Sequence, residues 1–131
     1  MSTTQTTTVG AMVADAKARI ENLSPAAVAK EVEAGDALLV DLREPEERAQ
    51  NGTIKGSVAA PRGMIEFYAD PTTPYHRPEF QFDRRIILHC ASGGRSALAT
   101  DTLTKLGYTR VGHLDGGLKA WKEQGFPVQS V

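Results

Sequence analysis

Apolar residues in this chain follow two alternating patterns: groups spaced three to four positions apart, and short unbroken runs. Met12, Val13, Ala16 and Ile20 in "VGAMVADAKARIENL" fall at helical spacing and predict a helix with one apolar face, packed on its own domain or on a partner chain. "SPAAVAKEVEAG" predicts a second helix, with Ser24 as N-cap, Pro25 in the first turn, Val28 and Val32 one turn apart and Gly35 as terminator. "ALLVDL", residues 37–42, is nearly continuous and apolar, as expected of a strand covered on both faces in a parallel sheet. "EPEERAQNG" then reads as a short helix with an acidic start that stops at Asn51 and Gly52, and "SVAAP" as a short strand. "RIILHC" is a buried strand, "GRSALATDTLTKLGY" a helix carrying Ala99, Leu103 and Leu106 on one face and ending at Gly107, and "RVGHLD" another strand. In "GGLKAWKEQGFPV", Leu118 and Trp121 share a helix face, Gly125 stops the helix and Pro127 prevents its restart. This alternation of helix and strand predicts an α/β fold, a parallel sheet flanked by helices.

One stretch breaks the rhythm. Residues 61–82, "PRGMIEFYADPTTPYHRPEFQF", hold four of the seven prolines and five of the eight aromatic residues, so they read as a long structured excursion. Such loops often carry function, and a plain cover for a sheet edge is the competing reading. With 131 residues, 40% of them apolar, the chain is long enough for one compact core: a polar tail and amphipathic helix over 1–23, then the main domain over 24–131.

Charge and cysteine content narrow the partners. Fifteen basic residues are interspersed with sixteen acids for a net charge of −1, which leaves no basic stripe for nucleic acid. No apolar run approaches the roughly eighteen residues of a membrane span. The opening "MSTTQTTTVG" lacks the basic start and apolar stretch of a secretory signal, and the first Arg is Arg19, which argues against a transit peptide. It reads as a frayed polar tail. One cysteine forms no internal disulfide and suits a reducing compartment, so the cytoplasm is the expected location.

That cysteine, Cys90, stands where a buried strand meets a helix start, the place where parallel α/β sheets bind ligands. The following residues, Ala91, Ser92, Gly93, Gly94, Arg95 and Ser96, are small or flexible up to the arginine, so their amides are expected to curl into an anion-binding nest around the sulfur. Arg95 adds positive charge and the helix start adds its dipole. All three favour thiolate, and such settings bring a thiol from about 8.5 to roughly 3.5–7.5. A cysteine used only for packing needs none of these neighbours.

"CASGGRS" resembles the Cys-x-x-Gly-x-Arg loop of rhodanese-like domains, single-domain sulfurtransferases. "LLVDLREPEERAQNGTIKGSVAAP" is similar to that family's Asp-x-Arg, acidic helix and Gly-x-Ile-x-Gly segment, and "GYTRVGHLDGGLKAWKEQGFPV" to its closing Gly-Gly, Trp and Gly-x-Pro pattern. Together the three motifs span residues 24–128 in the family's order. The chain departs from the pattern at Thr53, where His is common, at Lys55, where Pro is common, and in the length of the 61–82 excursion.

The resemblance implies a rhodanese fold with a five-stranded parallel sheet. It implies a two-step transfer in which Cys90 takes sulfane sulfur from thiosulfate or a similar small anionic donor, holds it as a persulfide on the loop amides of residues 91–96, and passes it to cyanide or to a thiol, including a protein thiol. Cys90 and Arg95 would be catalytic, with Arg95 on the donor's anionic end, and no cofactor or metal is implied.

Two other readings compete. A Cys-based phosphatase or arsenate reductase also sets a Cys loop before Arg-Ser, but places five residues between Cys and Arg, whereas Cys90 and Arg95 enclose four. Residues 91–94 also offer no carboxylate to protonate a departing alkoxide. A non-enzymatic module that binds a partner or relays sulfur is the second alternative. Of the remaining candidates, His89 reads as a hydrogen-bonded core residue, and His76 and His113 have no ligand-like spacing to Cys90. Asp41 and Arg43 read as an ion pair at a strand end and Trp121 as core, while Arg62, Tyr68, Tyr75 and Arg77 are candidates for the pocket mouth or a solvated loop.

Overall fold

The computed structural model describes residues 5–131; the first four residues of the polar tail lie outside the described part. Thr8 accepts a hydrogen bond from the Ala11 amide and starts α1, Val9–Lys17. The helix is shorter than its apolar spacing predicts. Asn22 donates its side-chain amide to the Lys17 and Ile20 carbonyls, ending the turn, and Glu21–Leu23 forms strand β1. Leu23 continues the helical spacing by coincidence, and three residues are too few to display strand alternation. The sheet therefore begins upstream of residue 24.

The other elements are α2 (Pro25–Ala34), β2 (Leu38–Asp41), α3 (Pro45–Asn51), β3 (Val58–Ala59), α4 (Ile65–Ala69), β4 (Ile86–His89), α5 (Gly94–Leu106), β5 (Val111–Leu114) and α6 (Gly117–Glu123). Ser24 caps α2 through the Ala27 amide, and Gly35 ends it at φ +86°. All five strands are parallel, in the order β1-β5-β4-β2-β3, which gives the expected α/β sheet.

Side chains alternate across the sheet and divide the core into two layers. Leu38, Val40, Ile86 and Leu88 face one side with Ile65, Ala69, Phe80, Ala99, Leu103 and Tyr108. Leu39 and Ile87 face the other with Val28, Ile54, Leu114, Leu118 and Trp121. The 61–82 excursion thus has a structural role: α4 and Phe80 cover the first layer, and Tyr108 donates its hydroxyl to the Ala69 carbonyl at 2.7 Å. Helix α1 packs on α5 within the same chain; just past its end Arg19 pairs with Asp101 on α5 at 2.8 Å, and Lys17 pairs with Asp115 after β5 at 2.7 Å.

Candidate active site

Strand β4 ends at His89, and the chain turns through Cys90–Gly93 into α5. The carbonyls of this loop point away from the sulfur because α6 takes them: Leu118 donates its amide to Cys90 O at 2.9 Å and Lys119 to Ala91 O at 3.0 Å. That approach requires glycine at position 117, where φ is +61° and a Cβ would lie 2.6 Å from the Ala91 backbone. Gly93, at φ +106°, then turns its amide onto Cys90 Sγ at 3.1 Å. Ser96 Oγ is 3.6 Å from the same sulfur. Of the nest expected around the sulfur, one amide reaches it directly. Gly94, Arg95 and Ser96 occupy the first turn of α5, whose N–H groups have no partner inside the helix. Cys90 is 1% exposed; Ser92 is exposed, and Ala91, Gly94 and Arg95 are partly exposed.

Arg95 has a partner the sequence did not indicate. Its guanidinium makes two bonds to Glu47 on α3, Nη1 to Oε1 at 2.7 Å and Nη2 to Oε2 at 2.9 Å. Arg95 holds the Glu47 carboxyl down at about 2, with the Glu44 amide adding a further bond against the cost of burial. Glu47 is placed by a buried cluster at the end of β2. Asp41 accepts from Arg43 Nε at 3.0 Å, Arg43 Nη2 at 2.9 Å and Arg48 Nη1 at 2.7 Å, and Arg43 Nη2 also donates to Gly52 O at 2.7 Å. Burial opposes the charge on Asp41, but the Arg43 bonds and the nearby positive charge outweigh it and hold its carboxyl below the ordinary range. The ion pair read from the sequence is therefore the clamp between β2 and α3.

His89 is fully buried and donates Nδ1–H to the Cys90 carbonyl at 3.2 Å; its Nε2 has no hydrogen-bond partner and lies 3.8 Å from Asp41 Oδ2. Burial pushes its pKa down, keeping it neutral behind the loop. His113 on β5 contacts Ser96 Oγ through Nδ1 and Asn22 Oδ1 through Nε2, each at 2.8 Å. Sequence reasoning gave His113 no part in the site. The available signal was a polar residue inside the otherwise apolar "VGHL", fully buried once folded.

A cleft of about 250 Å³ opens beside Ala91, lined also by Arg43, Asn51, Leu118, Lys119 and Lys122. The aromatic excursion does not line it. Arg77 stacks 5.0 Å over the Tyr68 ring and pairs with Glu79, Arg62 pairs with Glu66, and Tyr75 packs edge-on against Phe67. A larger apolar pocket of about 500 Å³ between Val32, Ile54, Trp121 and Phe126 contains no residue of the Cys90 loop, so size does not make it the site.

The family profile described as "Rhodanese-like domain" matches residues 24–124, most of the chain and all of this site except Asn22. The chain belongs to the rhodanese-like domain family. Among relatives of this rhodanese-like domain, a sulfurtransferase of Allochromatium vinosum is 39% identical over 93 residues, covering 71% of this chain and 78% of that protein. A solved structure from Rhodopseudomonas palustris, described as a protein of unknown function and a candidate tyrosine phosphatase, is 40% identical with a TM-score of 0.89, covering 98% and 99% of the two chains. The polysulfide-sulfur transferase homodimer of Wolinella succinogenes is 27% identical with a TM-score of 0.74, covering 92% of this rhodanese-like domain and 86% of that chain.

Proposed function

We propose that this rhodanese-like domain is a sulfurtransferase that carries sulfane sulfur as a Cys90 persulfide. The observation that carries the reading is the Gly93 amide on Cys90 Sγ at 3.1 Å, at the start of a thirteen-residue helix. The sulfur meets a hydrogen-bond donor and a positive dipole end, both of which favour an anion. In the first step the Cys90 thiolate attacks the outer sulfur of thiosulfate or a similar donor. A new S–S bond forms, the donor's S–S bond breaks, and sulfite leaves with the electron pair. The charge now rests on the outer sulfur of the persulfide, within the turn formed by the free amides of residues 94–96. In the second step a thiolate or cyanide attacks that outer sulfur and regenerates the Cys90 thiolate. Covalent storage divides the transfer into two steps.

Arg95 contributes positive charge at the loop while paired with Glu47, and the exposed Lys119 and Lys122 beside Ala91 add to the field an anionic donor meets. The relatives described as sulfurtransferase and polysulfide-sulfur transferase support this chemistry. The phosphatase reading is favoured by the description of the Rhodopseudomonas palustris protein. It is opposed here by the four-residue spacing between Cys90 and Arg95 and by the lack of an acid among residues 91–94.

Intact mass after incubation with thiosulfate tests the proposal. A gain of about 32 Da on Cys90, removed by cyanide and absent in Cys90→Ser, is the expected result. No gain, together with hydrolysis of an aryl phosphate, would replace it with the phosphatase reading. Repeated turnover separates an enzyme from a relay module, which accepts sulfur but passes it on only to a particular partner.

A further inference from the structure

We infer that His113 governs how Ser96 meets the Cys90 sulfur, which makes His113, with Asn22 behind it, a positioning residue for the nucleophile. Asn22 donates its side-chain NH₂ to the Lys17 and Ile20 carbonyls at 2.9 and 3.2 Å. Its Oδ1 therefore faces His113 Nε2 at 2.8 Å and can only accept, so Nε2 carries the ring proton. Nδ1 of the neutral ring is then an acceptor, 2.8 Å from Ser96 Oγ. Burial pushes the His113 pKa down to about 4, so the ring is neutral at neutral pH and Asn22 selects its tautomer.

Ser96 has one hydroxyl proton and three neighbours that compete for it. Gly93 O, at 3.2 Å, already accepts from the Ala97 amide, and Cys90 Sγ is 3.6 Å away. The shortest contact is with His113 Nδ1, so the proton points there and Ser96 offers the sulfur a lone pair. That arrangement suits S–H donating to Ser96 Oγ. When the sulfur is ionised it draws the Ser96 proton to itself, leaving His113 Nδ1 buried and unpaired, which costs free energy. His113 and Cys90 thus compete for one proton.

Charged groups around the two residues are Lys17 and Asp115 beside His113, and Arg95 with Glu47 and Glu44 on the loop side. Lys17 and Asp115 pair with each other at 2.7 Å, as do Arg95 and Glu47. Substitution of His113 leaves both pairs in place.

The inference deepens the reading of Cys90 as the nucleophile, yet its readout needs no sulfur donor. The experiment is the rate of Cys90 alkylation by iodoacetamide as a function of pH. His113→Leu frees the Ser96 hydroxyl, so its profile should move to lower pH, with alkylation about three- to tenfold faster on the rising limb. His113→Asn, whose Oδ1 stands near the former Nδ1, should restore the original profile. In a Ser96→Ala background His113→Leu should have no further effect. A His113→Leu profile equal to that of the unaltered protein, or an equal shift without Ser96, would overturn the inference. Should His113→Leu fail to fold, Asn22→Ala carries the test: it releases the tautomer and should move the profile the same way, and an unchanged profile would overturn the inference. Failure of the thiosulfate mass experiment would leave these profiles unaffected, so the two readings fail separately.

Discussion

Arg95 and Glu47 are joined by two hydrogen bonds, so in the proposed reaction an anionic donor would meet a cation that already has a carboxylate. Glu47→Gln keeps a side chain able to accept from the Glu44 amide but removes the competing charge. It should lower the KM for thiosulfate about three- to fivefold, the ~1 kcal/mol scale of a partly exposed ion pair. Arg95→Ala should raise KM by more than that, since it removes the cation and leaves the carboxylate. Initial-rate kinetics with each variant check both; equal KM values in all three proteins would mean the pair is structural. Cys90 and Arg95 stand out as candidates in the sequence because a thiol, a glycine turn and a cation lie within six residues of one another. Glu47 does not, being 48 residues from Arg95 in a helix whose acids also suit a capping role. His113 is 17 residues from Ser96 and depends on the pairing of β4 with β5 to come near it.

Among elements, the junction between the Cys loop and α6 has the least room for change. The first turn of α6 crosses the loop so closely that a Cβ at Gly117 would also lie 2.7 Å from Cys90 O. Gly117→Ala should therefore destabilise the domain by at least about 2 kcal/mol, through backbone strain and overpacking together. Urea denaturation measures this, and slower Cys90 alkylation under native conditions would report the displaced loop. Most elements were legible because their ends are marked chemically: Ser24 and Gly35 bound α2, and Gly107, at φ +116°, ends α5. The misreading of β1 as helix has the opposite cause, since only its pairing with Gly112–Leu114 makes Glu21–Leu23 a strand. Helix α4 was hidden among the prolines and turns of the excursion, where five residues give too little periodicity to read.

For the molecule as a whole, acid should act in two stages. Burial holds His113 at about 4 against an ordinary 6.5, and His89 is lowered for the same reason. As pH falls, the unfolded chain binds these protons before the folded one, so stability is full above about pH 6.5 and declines towards pH 4. Glu47 is ionised in the fold down to about 2 against an ordinary 4.5, so its contribution is present above about pH 4.5 and lost towards pH 2. The urea midpoint should thus begin to fall below pH 6.5, with a shallower first stage in His113→Asn; a midpoint flat from pH 7 to 5 would count against neutral buried histidines.

The burial of Cys90, at 1% exposure, also makes reach a criterion of selectivity. A thiol or disulfide must bring its own sulfur to an atom almost wholly enclosed by the loop, which disfavours bulky substituents next to that sulfur. An added sulfur stands about 2 Å farther out. Loading of Cys90 in the proposed transfer would therefore move the reactive point from the interior towards the surface, within reach of a large acceptor. Under the proposed function, the unloaded protein should react slowly with bulky disulfides and the persulfide form faster, which the rate of mixed-disulfide formation by mass spectrometry would check.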